Sequence, residues 1–408
     1  MPCTFPFPLN ANDTVIINHN VILDTNWAIG TSGSVTVNAG ASLIENQNGR
    51  IMGVNGGNLI NYGTVAISNL VSIAGMVENN DSMRISSALY NSTLLFNNGI
   101  LAEVDSFANE GLLKNSPDAK LTANLFLNTD SCTNEGIIKA VDCENDGVFI
   151  NRRIIGAINF YNAITGVFQN DSGGAVSTVY FWNTGYFGNN SGSKINTAFD
   201  FYNGDSLPLS LSSVFYNDGF AGVGNDWYNT ETINGFTGQF CVGDSTYNVG
   251  IMSGTFDFCD NTPPLVIPPS PVIDFYTDIG NIDTAITYCA YNCKMVVSFE
   301  YSEPSCFESC DGYVRATVLG GTLPYYFFWD TGDTTDLISG LCNGIYIVTV
   351  IDGNSDTLYA GKYLFTPPLD VSIDSTNASC GLPNGTATVT VNNGNPPFTY
   401  SWNTLPDQ

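Results

Sequence analysis

Short segments of alternating apolar and polar residues follow one another from residue 11 to about residue 260, and turns rich in asparagine and glycine separate them. Alternation with a period of two is typical of β-strands that bury one face. Asparagines of these turns stand 17 to 19 residues apart, at Asn61, Asn79, Asn97, Asn115, Asn134, Asn151, Asn170 and Asn189. A repeat of this length predicts an all-β solenoid over residues 1–260, with two or three short strands in each coil of a parallel β-helix.

Asparagine and glycine suit the corners of such a solenoid because both tolerate the left-handed backbone conformation. Stacked asparagine side chains can also hydrogen-bond from one coil to the next. Apolar residues such as Val65, Leu70 and Val77 are expected to point inward and to stack on their counterparts in neighbouring coils. The opening "NDTVIINHNVILDTN", followed by "SVTVNAGASL", resembles the start of many secreted bacterial β-helix proteins.

The composition changes after residue 260. Residues 261–272, "NTPPLVIPPSPV", are rich in proline and predict an extended linker. Residues 273–302 contain two strand-like pieces, and their pattern fits either a small hairpin or an additional edge of the domain that follows. The sequence leaves these two alternatives open.

Two segments near the end of the chain, "GTLPYYFFWDTG" (321–332) and "GNPPFTYSWNT" (394–404), are versions of one pattern. Three aromatic residues alternate along a strand in each, namely Tyr325, Phe327 and Trp329 in the first and Phe398, Tyr400 and Trp402 in the second. All three rings therefore share one strand face, which we expect to be buried. A tandem unit of about 70 residues with many short strands predicts immunoglobulin-like β-sandwiches.

The first unit combines "CDGYVRATVLGGTLPYYFFWDTG" with "ISGLCNGIYIVTVID", between Cys306 and Asp352. This combination resembles the SprB repeat of giant surface adhesins from gliding bacteria. The resemblance covers residues 303–408, with one complete repeat at 303–370 and a truncated repeat at 371–408. It implies a secreted adhesin that is exported by the type IX route. Half a sandwich cannot bury its face, so we expect the chain to be a fragment of a longer protein, whose leader and sorting domain are not within it.

The eleven cysteines favour an oxidising compartment. The candidate disulfides are Cys306–Cys342, with Cys310 as the rival to Cys306, and on the solenoid Cys132–Cys143 and Cys241–Cys259. Spacing alone does not fix this connectivity. The cysteine pairs separated by three residues do not have the spacing of zinc sites, and the single histidine, His19, lies far upstream.

Acidic residues outnumber basic ones by 38 to 11, which gives a formal net charge of −27. A field of this sign disfavours nucleic acid and anionic membrane surfaces as partners, and it favours divalent cations. Calcium is therefore possible, for example at the acidic turn "DTGDTTD" (330–336), but no specific calcium motif supports it and no cofactor is expected. No apolar stretch is long enough to cross a bilayer, so membrane insertion is not expected.

Several parallel β-helices cleave polysaccharides, so catalytic groups were sought. The triplet "NTD" at 128–130 lacks the companion motifs of polygalacturonase-like hydrolases and fits an ordinary turn. Arg152 and Arg153 lie close in sequence to three acidic residues, as a lyase would need, but a charged patch on a solenoid explains them equally well. With a single histidine and no nucleophile elbow, the sequence predicts that the protein is not an enzyme.

Aromatic residues are concentrated between about 158 and 228. Trp182, Tyr186 and Trp227 are the candidates for a ladder that stacks against sugars, and packing inside the solenoid is the alternative. The favoured function is a non-catalytic adhesin or structural repeat protein, extracellular or at the cell surface, with surface glycans or other cell-surface polymers as partners. A polysaccharide-binding or polysaccharide-degrading β-helix protein is the alternative.

Overall fold

Every secondary-structure element in the described part of the chain is a β-strand. The computed structural model describes residues 13–23, 26–45, 50–72, 74–204, 213–224, 226–243, 246–260, 275–278, 281–290, 295–306, 309–366, 370–378, 384–393 and 398–402. Among the described residues there is no helix long and apolar enough to span a bilayer. The predicted all-β class is confirmed.

The N-terminal region is a solenoid in which successive coils pair in parallel. Each coil contributes strands to three faces, called here faces I, II and III in the order in which the chain visits them. Fourteen strands form face I: Thr14–Ile17, Ser34–Val37, Asn58–Asn61, Met76–Asn79, Leu94–Asn97, Leu112–Asn115, Ser131–Asn134, Val148–Asn151, Val167–Asn170, Tyr186–Asn189, Val214–Asn217, Thr232–Gly235, Ile251–Gly254 and Asn281–Ile282. At about 4.8 Å between strands, this ladder is about 60 Å long.

Faces II and III are built in two ways. In the middle coils one long strand covers both faces: Thr64–Ser72, Ser82–Asn91, Ile100–Asn109, Lys120–Asn128, Ile137–Asn145 and Ile154–Asn162. Elsewhere face II has its own strands: Asn20–Leu23, Ser42–Glu45, Ala175–Thr178, Lys194–Thr197, Phe220–Val223, Gln239–Val242, Asp257–Asp260 and Thr287–Ala290. The separate strands of face III are Trp27–Ile29, Ile51–Val54, Tyr180–Asn183, Phe201–Asn203, Trp227–Asn229, Thr246–Asn248 and Phe275–Asp278.

The interior of the solenoid consists of inward side chains that stack on their counterparts one coil away, as the alternation predicts. Val65, Leu70 and Val77 are all buried. Towards the C-terminal coils the stacked residues become aromatic. Ring centroids of Phe168 and Phe187 lie 4.6 Å apart, and those of Phe181 and Phe201 lie 4.8 Å apart with nearly parallel planes. This core is continuous along the whole solenoid.

Two columns of buried asparagines run along the corners, and their side chains form hydrogen-bonded ladders. The first contains Asn61, Asn79, Asn97, Asn115, Asn134, Asn151, Asn170, Asn189 and Asn217; the second contains Asn91, Asn109, Asn128, Asn145, Asn162, Asn183, Asn203, Asn229 and Asn248. Each Nδ2 donates to the Oδ1 of the next asparagine at 2.7 to 2.9 Å. The ladders satisfy amide groups that would otherwise be costly to bury.

Glycine follows many ladder asparagines because successive corners lie in close contact. A Cβ atom at Gly99 would lie 2.1 Å from the carbonyl oxygen of Asp81, a backbone atom that cannot move aside without disturbing the coil below. The repeat of asparagine and glycine in the sequence therefore reflects two features of the corners: the asparagine ladder and the close approach of the backbones of successive coils.

Solenoid strands continue past residue 260. Phe275–Asp278, Asn281–Ile282 and Thr287–Ala290 pair in parallel with the coil before them. Val296–Ser302 instead pairs antiparallel with Gly312–Leu319. The segment 273–302, whose membership the sequence left open, is thus divided between the solenoid and the following domain. The proline-rich stretch 261–272 lies outside the described residues.

Two small antiparallel sheets follow the solenoid. One contains Val296–Ser302, Gly312–Leu319 and Leu337–Leu341, and the other contains Tyr326–Trp329, Gly344–Ile351 and Thr357–Leu364. Both contribute to one hydrophobic core, so residues 295–366 form a two-sheet sandwich, called here the first repeat. Trp329 is buried in it, and Tyr325 and Phe327 pack against it, as the alternating aromatic pattern predicts.

After the first repeat, the described residues contain one antiparallel pair, Asp370–Thr376 with Thr386–Asn393. Every residue of the strand Asp370–Thr376 is exposed. Whether either unit has the immunoglobulin-like topology stays a prediction.

The first repeat packs against face II of the solenoid through its second sheet. Small residues allow the approach: a Cβ atom at Gly156 would lie 2.8 Å from Cδ1 of Ile347, and one at Gly361 would lie 3.3 Å from Oγ of Ser177. At one end of the contact, Lys139 forms an ion pair with Asp330 and donates to the carbonyl oxygen of Ile345 at 2.8 Å. The solenoid and the first repeat therefore share an interface.

Candidate functional site

A column of aromatic side chains lies on the outer surface of face III, and it is called here the outer ladder. Backbone register places its members, Tyr161, Trp182, Tyr202, Tyr228 and Tyr247, at the same position of five successive coils. Each directly precedes an asparagine of the second buried ladder. Because neighbours on a strand point to opposite sides, the buried asparagine fixes the outward direction of the aromatic residue.

Rings of the outer ladder stack on one another. Trp182 and Tyr202 have centroids 5.7 Å apart and planes within 7°, and Tyr202 and Tyr228 have centroids 4.7 Å apart and planes within 4°. Tyr180 stacks on Trp182 as well, at 5.6 Å. Residues that bind sugars by stacking must offer an open ring face. From Trp182 to Tyr228 the ring faces are turned towards other rings, so this part of the ladder presents mainly ring edges to solvent.

Carboxylates accompany two of these tyrosines. The hydroxyl of Tyr202 donates to Asp200 at 3.2 Å, and the hydroxyl of Tyr228 donates to Asp226 at 3.1 Å. Burial, together with these carboxylates, raises the pKa of both phenols to about 12. Both hydroxyls therefore stay protonated at neutral pH, and they act as fixed donors that hold the rings in the stack.

The three residues proposed for sugar stacking do not form one surface. Trp182 belongs to the outer ladder, whereas Tyr186 is exposed on face I. Trp227 has 0% exposure because it points into the core, where it packs against Phe240 and Phe258. The prediction that Trp227 contacts a glycan is therefore wrong.

A signal for this difference is present in the sequence. Trp182 stands one residue before its ladder asparagine, Asn183, while Trp227 stands two residues before Asn229. Alternation from the buried asparagine turns the first tryptophan outward and the second inward. Position relative to the ladder, rather than aromatic character, decides which rings reach the surface.

The disulfides differ from those expected. Cys310, the rival candidate, is bonded to Cys342, and Cys306 is free and exposed. The expected Cys306–Cys342 bridge is therefore wrong. Ser309 lies between the two candidates. Its hydroxyl is within hydrogen-bonding distance of the backbone of Cys306 and donates to the carboxylate of Asp311, and these contacts hold the turn that separates Cys306 from the bridge.

On the solenoid, Cys132 and Cys143 are free and buried, so the expected bridge between them is wrong. They lie on successive strands that belong to different sheets, and burial raises the pKa of both thiols. Cys241 and Cys259 are each disulfide-bonded and occupy matching positions of neighbouring coils on face II. Their pairing with each other stays a prediction.

Charged groups considered for catalysis or calcium have structural partners. Arg152 contacts Glu135 at 3.4 Å and Asp171 at 3.3 Å, and Arg153 donates to the carbonyl oxygen of Pro117 at 2.7 Å. In the acidic turn, Asp330 pairs with Lys139. Within the described ranges, histidine, cysteine and acidic side chains form no group of three that could hold a metal ion.

A concave feature lies between the solenoid and the first repeat, and it is called here the interdomain cleft. Its volume is about 670 Å³. Val104, Asn124 and Val141 line it on the solenoid side, and Ile345, Tyr363 and Phe365 line it on the other. The rings of Tyr363 and Phe365 are nearly parallel, with centroids 5.6 Å apart, and Phe365 is 43% exposed. Sequence reasoning missed this site because its two walls are more than 200 residues apart.

Amide and carboxylate groups form a polar row along the solenoid beside the cleft. Asn124 donates to Asp105 at 2.9 Å, and Asn159 donates to Asp142 at 2.7 Å. Burial first, then the charges of Glu303 and Asp142, raises the pKa of Tyr363 to about 12. The carboxylate of Asp142, which belongs to the polar row, is thus close enough to Tyr363 to influence its pKa.

Comparison with known families finds the SprB repeat at residues 372–406. These residues belong to the second of the two aromatic units, and they include the strand Thr386–Asn393 and most of the strand Asp370–Thr376. A search of curated proteins and a search of solved structures each give no match. The chain therefore contains an SprB repeat at residues 372–406, and its N-terminal region is a parallel β-solenoid.

Proposed function

We propose that the protein is a non-catalytic adhesin, secreted or held at the bacterial cell surface. The SprB repeat at residues 372–406 carries this proposal, because that repeat is typical of surface proteins. The architecture supports it: a solenoid about 60 Å long is a stiff element with a large lateral surface, and the first repeat, which packs on face II, adds to that surface. Several weak contacts on one chain would add up to firm attachment through avidity.

A non-catalytic role is supported by what the charged residues do. Arg152 and Arg153, the basic pair that a lyase would need, are engaged in ion pairs and a backbone hydrogen bond on the solenoid surface. Asn128, the first residue of the hydrolase-like triplet, is a member of the second buried ladder. Both features therefore have a structural purpose that does not require catalysis.

Bead retention tests the proposal. Beads coated with the protein should be retained on bacterial cells or on surfaces coated with cell-surface polysaccharides, well above beads coated with serum albumin, which is also acidic. The same polysaccharides should release no reducing ends on long incubation with the protein. Retention equal to the albumin beads would contradict the adhesin proposal, and steady release of reducing ends would establish the degrading alternative instead.

A further inference from the structure

We propose that the interdomain cleft binds a neutral polysaccharide chain. This inference rests on the proposed adhesin function, and it names the site and the chemical class of the ligand. The cleft has the size of known ligand sites, which commonly lie at domain interfaces and combine apolar walls with a few polar groups. Its two walls have the two kinds of group that sugars need.

One wall is aromatic. Tyr363 lies in the strand Thr357–Leu364 and Phe365 directly follows it. Both are on the side that faces the solenoid, since Leu358, Ala360 and Leu364 point into the core of the repeat. The two rings lie nearly parallel, within 13°. Unlike the stacked rings of the outer ladder, this pair contacts no further ring among the described residues, and Phe365 keeps much of its surface open. Such a pair can cover the apolar face of a pyranose ring.

The opposite wall offers hydrogen-bonding groups. In the Asp105–Asn124 pair, the amide nitrogen of Asn124 donates to Asp105 at 2.9 Å, while within the described part of the chain the Oδ1 of Asn124 and the second oxygen of Asp105 accept no hydrogen bond. The Asp142–Asn159 pair repeats the arrangement at a neighbouring coil. These oxygens accept hydrogen bonds from hydroxyl groups, and their repetition along the solenoid suits a ligand that is itself a repeating chain.

Charge selects the class of polysaccharide. Lys139, the basic residue of the cleft wall, is already paired with Asp330. Asp105, Asp142 and Glu303 lie around the site, and the whole chain has a net charge of −27. An anionic polymer would be repelled by this field. A neutral chain of hexoses, whose hydroxyl groups donate to the carboxylates, fits the cleft.

Affinity electrophoresis of the full chain, in gels that contain a soluble neutral β-glucan or α-glucan, tests the proposal. The protein should be retarded by at least one neutral polymer and not by alginate.

Phe365→Ala should weaken retardation about tenfold, the value of one aromatic contact. Asn124→Asp adds a charge on the solenoid wall without removing apolar surface, and it should weaken retardation to a similar degree. Phe236→Ala, at an exposed ring of the solenoid outside the cleft, is the matched control and should have no effect.

The outcomes separate the two proposals. If the protein adheres to cells but no neutral polymer retards it, or if both cleft variants are retarded like the wild type, the cleft inference is overturned and the adhesin function stands. If the protein adheres to nothing, the adhesin function fails. Should Phe365→Ala unfold the repeat, as near-ultraviolet circular dichroism would reveal, Asn124→Asp on the solenoid decides the question alone.

Discussion

The two aromatic units near the end of the chain share a sequence pattern but have opposite environments. In the first repeat, Val296 and Val297 are fully buried and Trp329 is 4% exposed. In the second, Ile373 is 64% exposed and Tyr400 is 55% exposed. The first repeat has six described strands in two sheets and also contacts the solenoid, whereas the second has one described pair. A strand pattern thus specifies a hairpin locally, but burial requires strands that come from elsewhere.

The matched tryptophans give the largest expected difference. Trp329→Ala removes a buried ring and the hydrogen bond that its Nε1 donates to Thr335 at 2.8 Å, so it should destabilise the first repeat by about 3–5 kcal/mol. Trp402→Ala, at the corresponding partly exposed position, should cost less than about 1 kcal/mol. Hydrogen exchange measures the two effects, at the amides of Gly344–Ile351 for Trp329→Ala and at those of Thr386–Asn393 for Trp402→Ala. Equal protection losses in the two variants would break the comparison.

The cysteines give the next effect. Cys310→Ser opens a bridge between residues 32 apart in sequence and should destabilise the first repeat by about 2–4 kcal/mol. Cys306→Ser is the control, because this thiol is free and exposed, and it should change stability by less than about 0.5 kcal/mol. Urea unfolding without reductant measures both variants. A large loss from Cys306→Ser, with none from Cys310→Ser, would restore the pairing first expected from the sequence.

Docking on the solenoid is a further difference between the two repeats. Gly156→Val places side-chain atoms where Ile347 now packs, and it should weaken the contact by about 1–3 kcal/mol through overpacking. Amides of Thr357–Leu364 should then exchange faster. Gly188→Val is the control, since the closest approach to a Cβ atom there is an ordinary 3.4 Å and the site lies on face I. Unchanged exchange in Gly156→Val would mean that the first repeat keeps its protection without the solenoid.

Much of the solenoid could be predicted because its physics is local and periodic. The spacing of Asn61, Asn79 and Asn97 reports the coil length directly, and the ladder persists where the spacing becomes irregular, as in the 28 residues between Asn189 and Asn217. The positions of Trp182 and Trp227 relative to the buried asparagine ladder also indicate which ring points outward and which points inward. The prediction for Trp227 did not use this signal.

The interdomain cleft could not be predicted, because it depends on where two domains meet. The interface uses Gly156, Ser177 and Gly361, small residues that have no periodic signature in the sequence. Disulfide connectivity failed for a similar reason. The sequence separations of Cys306 and Cys310 from Cys342 are similar, so spacing does not distinguish the two cysteines. The local turn at Ser309 determines which of them forms the bridge, and spacing does not reveal this turn.

The smallest expected effect concerns pH. Asp352 is buried at a turn of the first repeat; burial alone would raise its pKa, but hydrogen bonds from the backbone N–H groups of Thr322, Asp356 and Asn354 outweigh it and lower the pKa. A carboxyl whose pKa is lower in the folded state stabilises that state above its unfolded pKa of about 4, and the contribution is lost as the pH falls below that value. Asp352→Asn should therefore reduce stability at pH 7 by no more than about 1.5 kcal/mol and converge with the wild type at pH 2. Urea midpoints at both pH values measure this, and a constant difference between the two proteins would show that the charge of Asp352 does not contribute to holding the first repeat together.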